Sequence, residues 1–375
     1  MTQQDHAQRA SEAWTRFCED LKRAGDVLLR ESTPKDALTQ AEGLRYLARQ
    51  IHVGFENAYE LANHDAPRLH PMVGSHKLYE GVTGDCRYHH AYFDGTKTHR
   101  IRGFRGDSPL IEIGTYTGKG GFHPGSVQVG GITEVELQVE EGGSFELVLS
   151  PHEHAGNWIE TGAETCYVMI REYAADWTDL APGRFEIVKE GSGEERAPVD
   201  LERVIEGLEG TCNWMWQAPP RWADISDFWL PLAPNLFVPE LPDNDVIDIG
   251  VPKGHQFGVC CLDLEPDEAM IVTFKPDSVP YWSLSLVNYW YEPLAFREFP
   301  RARQTTTAFT NATAEFGADG TVRAIIADSP PQGPNWLDLR GHRKCTVLFR
   351  ISRSKHPVPP LDVQIVKRDT LGTSA

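Results

Sequence analysis

The residues of this chain best placed to do chemistry form a His-Glu-His triplet. His152, Glu153 and His154 follow a segment of strand character and Pro151. In an extended segment the two histidines project to the same side, as pairs of metal ligands on β scaffolds often do. A divalent metal bound there could polarise a carbonyl group or lower the pKa of a water molecule. Further ligands from the same part of the chain would be Asp85, His89, His90 and His123.

The same triplet also suits proton transfer without a metal. We predict that His152, Glu153 or His154 acts as the catalytic acid or base, and that His152 and His154 hold a metal ion if one is bound. No organic cofactor is expected, because the chain carries no P-loop, dinucleotide-binding or α/β-hydrolase motif. The alternative is a solvated surface turn that happens to contain histidine.

Two arginines of a predicted strand are candidates for substrate binding. Arg100 and Arg102 share one face of the segment 98–104, so together they could hold a substrate carboxylate through bidentate hydrogen bonds. The alternative is that they pair with glutamates on neighbouring strands, for which Glu112 and Glu136 are available.

Aromatic residues cluster around the junction between the predicted β domains. Alternation in an extended segment places Tyr289 and Tyr291 on one face and Trp290 on the other, so one set is expected to be exposed or to face a pocket. Exposed aromatic rings suit sugars or aromatic small molecules, and a cleft between domains is a common ligand site. We therefore predict that Trp282, Tyr289 and Tyr291 contact the substrate; the alternative is burial in a domain interface. Other aromatic residues of the cluster are Trp214, Trp216, Trp222, Trp229 and Tyr281.

Composition restricts the partners. The 375 residues carry 36 Lys and Arg against 54 Asp and Glu, a formal net charge of −18, which opposes binding to nucleic acid. No apolar run reaches the roughly 20 residues of a membrane helix. The seven cysteines match no zinc module, and the polar N-terminus is unlike a secretory signal. We predict a cytoplasmic protein with free thiols. Its expected partner is a small-molecule substrate, and the sequence leaves open whether the protein forms a homo-oligomer.

Helical patterns come first along the chain. Apolar residues at three- and four-residue spacing, among them Trp14 and Phe17, predict an amphipathic helix over residues 8–30. A second helix is predicted to open at Thr33-Pro34, with Thr33 as the cap, and its apolar stripe begins at Leu44. These two helices form a predicted N-terminal helical layer.

From about residue 76 the chain has the texture of short strands separated by glycine-rich turns. Strands are predicted at 98–104, 133–139 and 144–149, and strand character resumes after a helical, proline-rich stretch. The domains predicted are a helical layer at 1–66, a first β-sandwich at 67–185, a connection at 186–244, a second β-sandwich at 245–366 and a tail at 367–375.

An internal repeat links the two β regions. The segment 150–159 (SPHEHAGNWI) aligns with 329–337 (SPPQGPNWL), with one single-residue gap on each side of the Asn-Trp pair. Both segments continue to a glycine, a cysteine, a valine and an arginine in the same order, which are Gly162, Cys166, Val168 and Arg171 in one and Gly341, Cys345, Val347 and Arg350 in the other. We interpret this as a duplicated unit of strand, Asn-Trp loop and strand, in which the shared residues serve the architecture.

The repeat also carries a family resemblance. The phrases LSPHEHAGNWIETGAETCYVMIREY, THRIRGFRGDSPLIEIG and PNWLDLRGHRKCTVLFRI resemble a bacterial family of domains of unknown function, number twelve-fourteen. The resemblance covers most of residues 40–180 and again 280–350. It implies a β-rich, sandwich-like fold and no agreed reaction, so no catalytic residues are carried over from it.

Together these patterns predict a mainly β fold with a helical N-terminal layer and two related, jelly-roll-like β-sandwich domains from an internal duplication. The function predicted is an enzyme that acts on a small aromatic or sugar-like molecule by hydrolysis or lyase chemistry, in an aromatic-lined cleft between the domains. The alternative is a non-catalytic ligand-binding or assembly protein.

Overall fold

The helices form a layer beside the β domains, as predicted. The computed structural model describes residues 3–64, 66–74, 77–79, 81–118, 126–174, 176–177, 179–191, 198–238, 254–294, 307–329, 331 and 333–371. His123 therefore lies outside the described residues. The helices are α1 (Gln3–Ala24), α2 (Ala37–Phe55) and α3 (Leu201–Leu232), with a 3-10 turn (Gly25–Leu29) after α1 and a π-helical turn (Glu56–Glu60) after α2.

The helix starts and buried faces differ in detail from the sequence pattern. The cap of α2 is Asp36, whose carboxylate accepts a hydrogen bond from the Thr39 backbone N–H at 2.9 Å, whereas the Thr33 hydroxyl donates to the Val27 carbonyl. Trp14 and Leu44 are 60% and 65% exposed. The apolar stripes predicted through those two residues are therefore wrong at these positions, because each helix buries a narrower face.

The proline-rich connection is mostly one long helix. Pro219 and Pro220 lie inside α3, although proline removes a helical hydrogen bond. Ala218 and Trp222 on either side are buried, so tertiary packing stabilises the helix where the local sequence does not. None of the helices in the described ranges is long and apolar enough to cross a membrane.

Two β domains follow the same plan. In the first β domain, one sheet has the strand order β1-β2-β8-β4-β5 and the other β7-β6-β3-β9. Its strands are β1 (His70–Pro71), β2 (Cys86–Tyr92), β3 (His99–Phe104), β4 (Leu110–Thr117), β5 (Gln128–Thr133), β6 (Ser144–Ser150), β7 (Asn157–Glu160), β8 (Thr165–Tyr173) and β9 (Arg184–Lys189).

The second β domain repeats this order strand by strand. Its sheets are β10-β16-β12-β13 and β15-β14-β11-β17, so β10 corresponds to β2 and each later strand to the strand eight places before it. The strands are β10 (His255–Cys261), β11 (Glu268–Phe274), β12 (Tyr281–Val287), β13 (Ala308–Thr310), β14 (Val322–Ala327), β15 (Trp336–Asp338), β16 (Thr346–Ser352) and β17 (Asp362–Lys367), followed by a 3-10 turn (Arg368–Leu371). The predicted fold of two related sandwiches is confirmed.

Some strand boundaries differ from the prediction. β9 crosses the boundary predicted at residue 185, so the first sandwich extends to Lys189. The segment 133–139 is not a strand; the strand there is β5, which ends at Thr133. The strand predicted at 144–149 is confirmed as β6, in which Phe145, Leu147 and Leu149 are buried and Glu146 is exposed.

Each Asn-Trp pair holds its sandwich together in the same way. Asn157 donates from Nδ2 to the carbonyls of Gln138 and Glu146 (2.7 and 3.0 Å) and accepts from the Gln138 N–H at 2.7 Å. Asn335 makes the same three bonds, to the backbone of Glu315 and Arg323. These asparagines therefore join a neighbouring segment to the strand, an architectural role as the repeat predicts.

The tryptophans of the two pairs also act alike. Trp158 donates from its indole to the Ser150 carbonyl at 3.1 Å, and Trp336 to the Ala327 carbonyl at 2.9 Å. Both side chains are only half-buried, so they lie at the edge of the sandwich cores rather than inside them. Their hydrogen bonds instead fix the parallel pairs β6–β7 and β14–β15.

α3 covers both domains. Trp214 and Met215 in its first half pack with the first domain, whereas Trp222, Ile225 and Trp229 in its second half pack on Val259 and Leu348 of the second. The side of the β2-β8-β4 sheet that faces away from its own sandwich is therefore enclosed by helices at one end and by the second β domain at the other.

Candidate functional site

The outward side of the β2-β8-β4 sheet is unusually polar for a buried surface. Alternate residues of each strand face it, because side chains along a strand alternate between the two faces. The inward set supplies aliphatic residues to the core of the first sandwich but also includes Arg87, His89 and Glu172, whereas the outward set combines a charged glutamate–arginine pair with tyrosines and a histidine. The outward polar and aromatic residues are Tyr88, His90 and Tyr92 on β2, Glu112 and Tyr116 on β4, and Tyr167, Arg171 and Tyr173 on β8.

Glu112 and Arg171 form the charged centre of this face. They are directly opposed in the β4–β8 register, and Arg171 Nη1 lies 3.6 Å from Glu112 Oε1. The same guanidinium donates a 2.6 Å hydrogen bond to the Tyr116 hydroxyl. Both charged side chains are 3% exposed or less, so each charge is compensated by the other rather than by bulk water.

The second β domain completes this centre with a histidine. His255, the first residue of β10, places Nε2 3.4 Å from Glu112 Oε2. Its other ring nitrogen, Nδ1, lies 2.9 Å from the Ser352 hydroxyl. Neither Glu112 Oε2 nor His255 Nε2 makes a hydrogen bond to any described residue. At 3.4 Å the two atoms face each other without a well-formed hydrogen bond, so a further ligand or water can complete the hydrogen bonding of both.

The environment sets the charge state of this pair. Burial raises the pKa of Glu112, but the contact with His255 and the charge of Arg171 outweigh it, so the pKa lies below its ordinary value. Burial lowers the pKa of His255, and Glu112 offsets this only in part. Near pH 7 we therefore expect a carboxylate beside a neutral imidazole. A neutral imidazole carries one ring proton; we assign it to Nε2, toward the carboxylate of Glu112, which leaves Nδ1 to accept from the Ser352 hydroxyl.

An open groove of about 730 Å³ reaches this centre. Arg353 forms one wall, where it binds Glu134 through Nε and Nη2 at 3.1 and 3.2 Å. A Cβ on Gly254, which has φ +85°, would lie 2.6 Å from Arg353 Nη1. The groove is lined by Glu112, Gln128, Gly130, Gly131, Gly254 and Arg353, with Val127, Val129 and Val135 among the other lining residues.

The groove combines polar and apolar surfaces. Val127, Val129 and Val135 are 56%, 49% and 82% exposed, so they present an apolar surface to a ligand, whereas Glu112 lies at its inner end. Such a groove fits a small organic molecule whose apolar part rests on the valines and whose polar part reaches the carboxylate. The carboxylate can accept a proton or a hydrogen bond, and the adjacent imidazole can donate one.

The His-Glu-His triplet lies elsewhere. His152 and Glu153 are exposed and His154 is half-buried, in a turn after β6; the His152 N–H is bonded to the Ser150 hydroxyl. Among the described residues, no three His, Cys, Asp or Glu side chains are arranged to hold a metal ion. The other proposed ligands His89 and His90 lie on β2 and face opposite sides of its sheet. The metal and acid–base roles of the triplet stay predictions.

The predicted anion-binding arginines are paired on the surface. Arg100 and Arg102 both donate to Glu146, at 2.5 and 2.7 Å. Glu146 lies directly opposite Arg102 in the register of β3 and β6 and diagonally from Arg100. Pairing with glutamate was the alternative interpretation, but the partner differs from the expected Glu112 and Glu136. Both arginines can still contact an anion only in competition with Glu146.

The predicted aromatic contacts are buried. Trp282 is 1% exposed, and Tyr289 and Tyr291 are 3% exposed. None of the rings at 289–291 is exposed, because these residues form a turn against the helices rather than a strand, with Tyr291 at φ 57°. The contact of these rings with a substrate stays a prediction. Trp282 packs inside the second sandwich, and Tyr289 donates to Asp227 of α3.

Sequence reasoning missed the role of Glu112 and His255. Glu112 interrupts the run Leu110-Ile111-Glu112-Ile113, in which every residue is buried. A glutamate within a strand of buried residues is the signal that could have singled it out. His255 gave no such signal, because its partner lies in the other β domain, 143 positions earlier in the chain.

Comparison with known proteins supports the fold and the family. The chain is similar to an uncharacterised protein from Burkholderia cenocepacia of known crystal structure, with 28% identity and a TM-score of 0.88 over 96% of this chain and 98% of that one. The VPA0106 protein from Vibrio parahaemolyticus aligns over 93% of this chain and 100% of that one, with 11% identity and a TM-score of 0.44. No curated protein matches the sequence significantly.

A family model described as "Protein of unknown function (DUF1214)" matches residues 115–176 and 263–356. The first segment lies in the first β domain and the second in the second. The resemblance predicted from the repeat is therefore confirmed, and in each of its two β domains the chain matches the family of unknown function DUF1214.

Proposed function

We propose that this protein is an enzyme that acts on a small aromatic or sugar-like molecule, by hydrolysis or by lyase chemistry, in the groove between its two β domains. The observation that carries the proposal is the pair Glu112 Oε2 and His255 Nε2. These atoms face each other at 3.4 Å, are buried and make no well-formed hydrogen bond to a described residue, and Glu112 lines the groove.

Glu112 is the proposed general base. Its carboxylate would accept a proton from a substrate hydroxyl, a water molecule or an activated C–H group, and His255 would stabilise it through the Nε2 proton. Arg171 holds Glu112 in place and keeps it ionised, since its own guanidinium is fixed by Tyr116. The exposed valines would receive the apolar part of the substrate. These roles need no contribution from the His152 turn.

Ligand binding without turnover is the second candidate. The observation that favours it is the lowered pKa of Glu112, because a weaker base accepts protons less readily. In that case the carboxylate would bind a hydroxyl or a cationic group of the ligand and release it unchanged.

The compartment is also a proposal. We propose a reducing compartment, the cytoplasm, because the seven cysteines, all within the described residues, are free thiols. Disulfides are rare in such compartments and common in secreted proteins.

The test compares isosteric variants on aromatic probes, 4-nitrophenyl acetate and 4-nitrophenyl β-D-glucoside. If a probe is turned over, Glu112→Gln should lower kcat/KM by about 10²–10⁴-fold, and His255→Gln should also lower it. Glu146→Gln is the matched control, because Glu146 pairs with arginine on the surface of the same domain. Equal activity of Glu112→Gln and Glu146→Gln would refute the catalytic role.

A further inference from the structure

A second cavity lies on the helix-covered end of the same sheet. We infer that it is a separate binding site for a neutral aromatic carboxamide. This helix-side cavity has a volume of about 330 Å³ and is lined among others by Asn57, Ala58, Tyr92, Cys166, Gly210 and Trp214. None of these residues lines the groove at Glu112. The volume is at the lower end of the range of small-molecule sites, which suits a single ring with one substituent.

The backbone around the helix-side cavity is shaped by an unusual element. Asn57 and Ala58 belong to the π-helical turn Glu56–Glu60, a rare conformation that occurs most often at functional sites. α3 approaches this turn very closely: a Cβ on Gly210 would lie 2.6 Å from the Ala58 Cβ. The two elements can enclose the cavity only because these residues are small.

One lining residue lacks a hydrogen-bond acceptor. Asn57 Oδ1 accepts a 2.6 Å hydrogen bond from the Tyr79 hydroxyl, and burial raises the pKa of Tyr79, which keeps that hydroxyl protonated. The amide nitrogen of Asn57 is buried and has no partner among the described residues. The carbonyl oxygen of a ligand carboxamide supplies the acceptor that this nitrogen needs.

The other walls favour an uncharged ring. Tyr92 stands 5.1 Å from Tyr167 in an edge-to-face pair, and the Trp214 indole is fixed by a 3.0 Å hydrogen bond to Gln50, so both rings are held rigidly for contact with a further ring. Burial raises the pKa of Cys166, which leaves a neutral thiol. Glu206, which also lines the helix-side cavity, disfavours an anionic ligand.

Cys166 offers a direct test with benzamide. The intact protein is treated with N-ethylmaleimide, and alkylation of each cysteine is followed by peptide mass spectrometry. Exposed Cys18 on α1 is the internal control. At about ten times its Kd, benzamide should slow alkylation of Cys166 about tenfold, because about one site in eleven is then free, and should leave Cys18 unchanged. Benzoate should protect much less.

Variants show whether the amide contact matters. Asn57→Leu should abolish most of the protection by benzamide, whereas Asn311→Leu in the second β domain should keep it, as should Glu112→Gln in the groove. Equal alkylation of Cys166 with and without about 10 mM benzamide, ten times a fragment-like Kd of about 1 mM, would overturn the inference. So would a Cys166 that never reacts while Cys18 does, because the cavity would then be closed.

Discussion

The two β domains share a scaffold and differ on the sheet that faces the rest of the molecule. Asn157 and Asn335 make the same three backbone hydrogen bonds, and Arg171 and Arg350 occupy the same place in β8 and β16. Glu112, opposite Arg171, corresponds to Ser283, opposite Arg350. What the copies share is therefore the architecture, and what they do not share is the chemistry.

The divergence runs along the whole face. His90 and Tyr116 of the first domain correspond to Val259 and Val287 of the second. In the other direction, the first position of β2 is Cys86, whereas that of β10 is His255. The second domain thus has a serine where the first has Glu112, and it supplies His255. The candidate site therefore needs residues from both copies.

Loss of Arg171 should have the largest effect on stability. It should cost more than loss of Arg350, the arginine at the same place in the second β domain. Arg171→Met leaves the buried carboxylate of Glu112 without its cation and should lower the free energy of unfolding by about 3–5 kcal/mol. Arg350→Met should cost less, because Arg350 bonds the neutral Thr83 hydroxyl and lies over Tyr173 and Phe257, and the carboxylate of Asp85 acts on it only as a nearby charge. Urea unfolding of both variants measures the difference. A larger loss in Arg350→Met would contradict the charge assignment.

Both paired asparagines should stabilise their domains, Asn335 somewhat more, because its φ of 59° also strains an alanine at that position. Asn157→Ala and Asn335→Ala each remove three hydrogen bonds to the backbone, and each should lower the free energy of unfolding by about 2–3 kcal/mol. Urea unfolding of both variants under the same conditions gives the two changes in the free energy of unfolding, which are then compared with each other. A strong effect in one domain with almost none in the other would show that the Asn-Trp loops are not equivalent.

His90 should make the first domain acid-sensitive. It is fully buried, with no hydrogen-bond partner on either ring nitrogen among the described residues, and burial holds its pKa well below the ordinary value. Because the pKa of His90 is lower in the folded protein than the value of about 6.5 in the unfolded chain, the unfolded chain takes up a proton first as the pH falls. The free energy of unfolding therefore decreases below about pH 6.5. At pH 5 the loss from one such histidine reaches about 2 kcal/mol.

His90→Leu tests this directly, since it gives the position the apolar character of Val259. The variant should be about as stable as the parent at pH 7 and more stable at pH 5, by thermal unfolding across that range. Burial also lowers the pKa of His89, to about 4, and that of His255. Both histidines therefore also destabilise the folded protein at low pH, so some acid sensitivity should persist in His90→Leu. An unchanged pH dependence in His90→Leu would refute the assignment.

The surface residues should have the smallest effects. Arg100→Ala with Arg102→Ala breaks pairs that are partly exposed and should cost about 1 kcal/mol or less. His152→Ala with His154→Ala should leave stability unchanged. Elemental analysis of the parent and of this double variant decides the metal prediction: one metal per chain, lost in the variant, would establish a site at the turn and weaken the case for Glu112.

Local patterns predicted the fold well. The alternation in β6, the amphipathic spacing of Phe17 and the repeated Asn-Trp pair are each consequences of residues close in sequence. The continuous α3 through Pro219 and Pro220 was not predictable in this way, because long-range packing overrides the local preference of proline.

The candidate site was less predictable for the same reason. Strand alternation predicts that either Tyr289 and Tyr291 or Trp290 is exposed or faces a pocket, yet a turn with a positive φ at Tyr291 leaves all three rings unexposed. Glu112 carried a local signal, whereas its contact with His255 depends on how two distant domains pack. The 3.4 Å distance between these two side chains is set by domain packing and cannot be read from local sequence patterns.

The contact between Glu112 and His255 is the claim on which the proposed function rests, and its most direct test is a pH titration of the His255 imidazole by NMR. His255→Gln identifies the resonance, and Glu146→Gln serves as the surface control. Because Glu112 raises the pKa of His255, the pKa should lie below the ordinary histidine value in the parent and lower still in Glu112→Gln. The same His255 pKa in the parent and in Glu112→Gln would contradict the pairing.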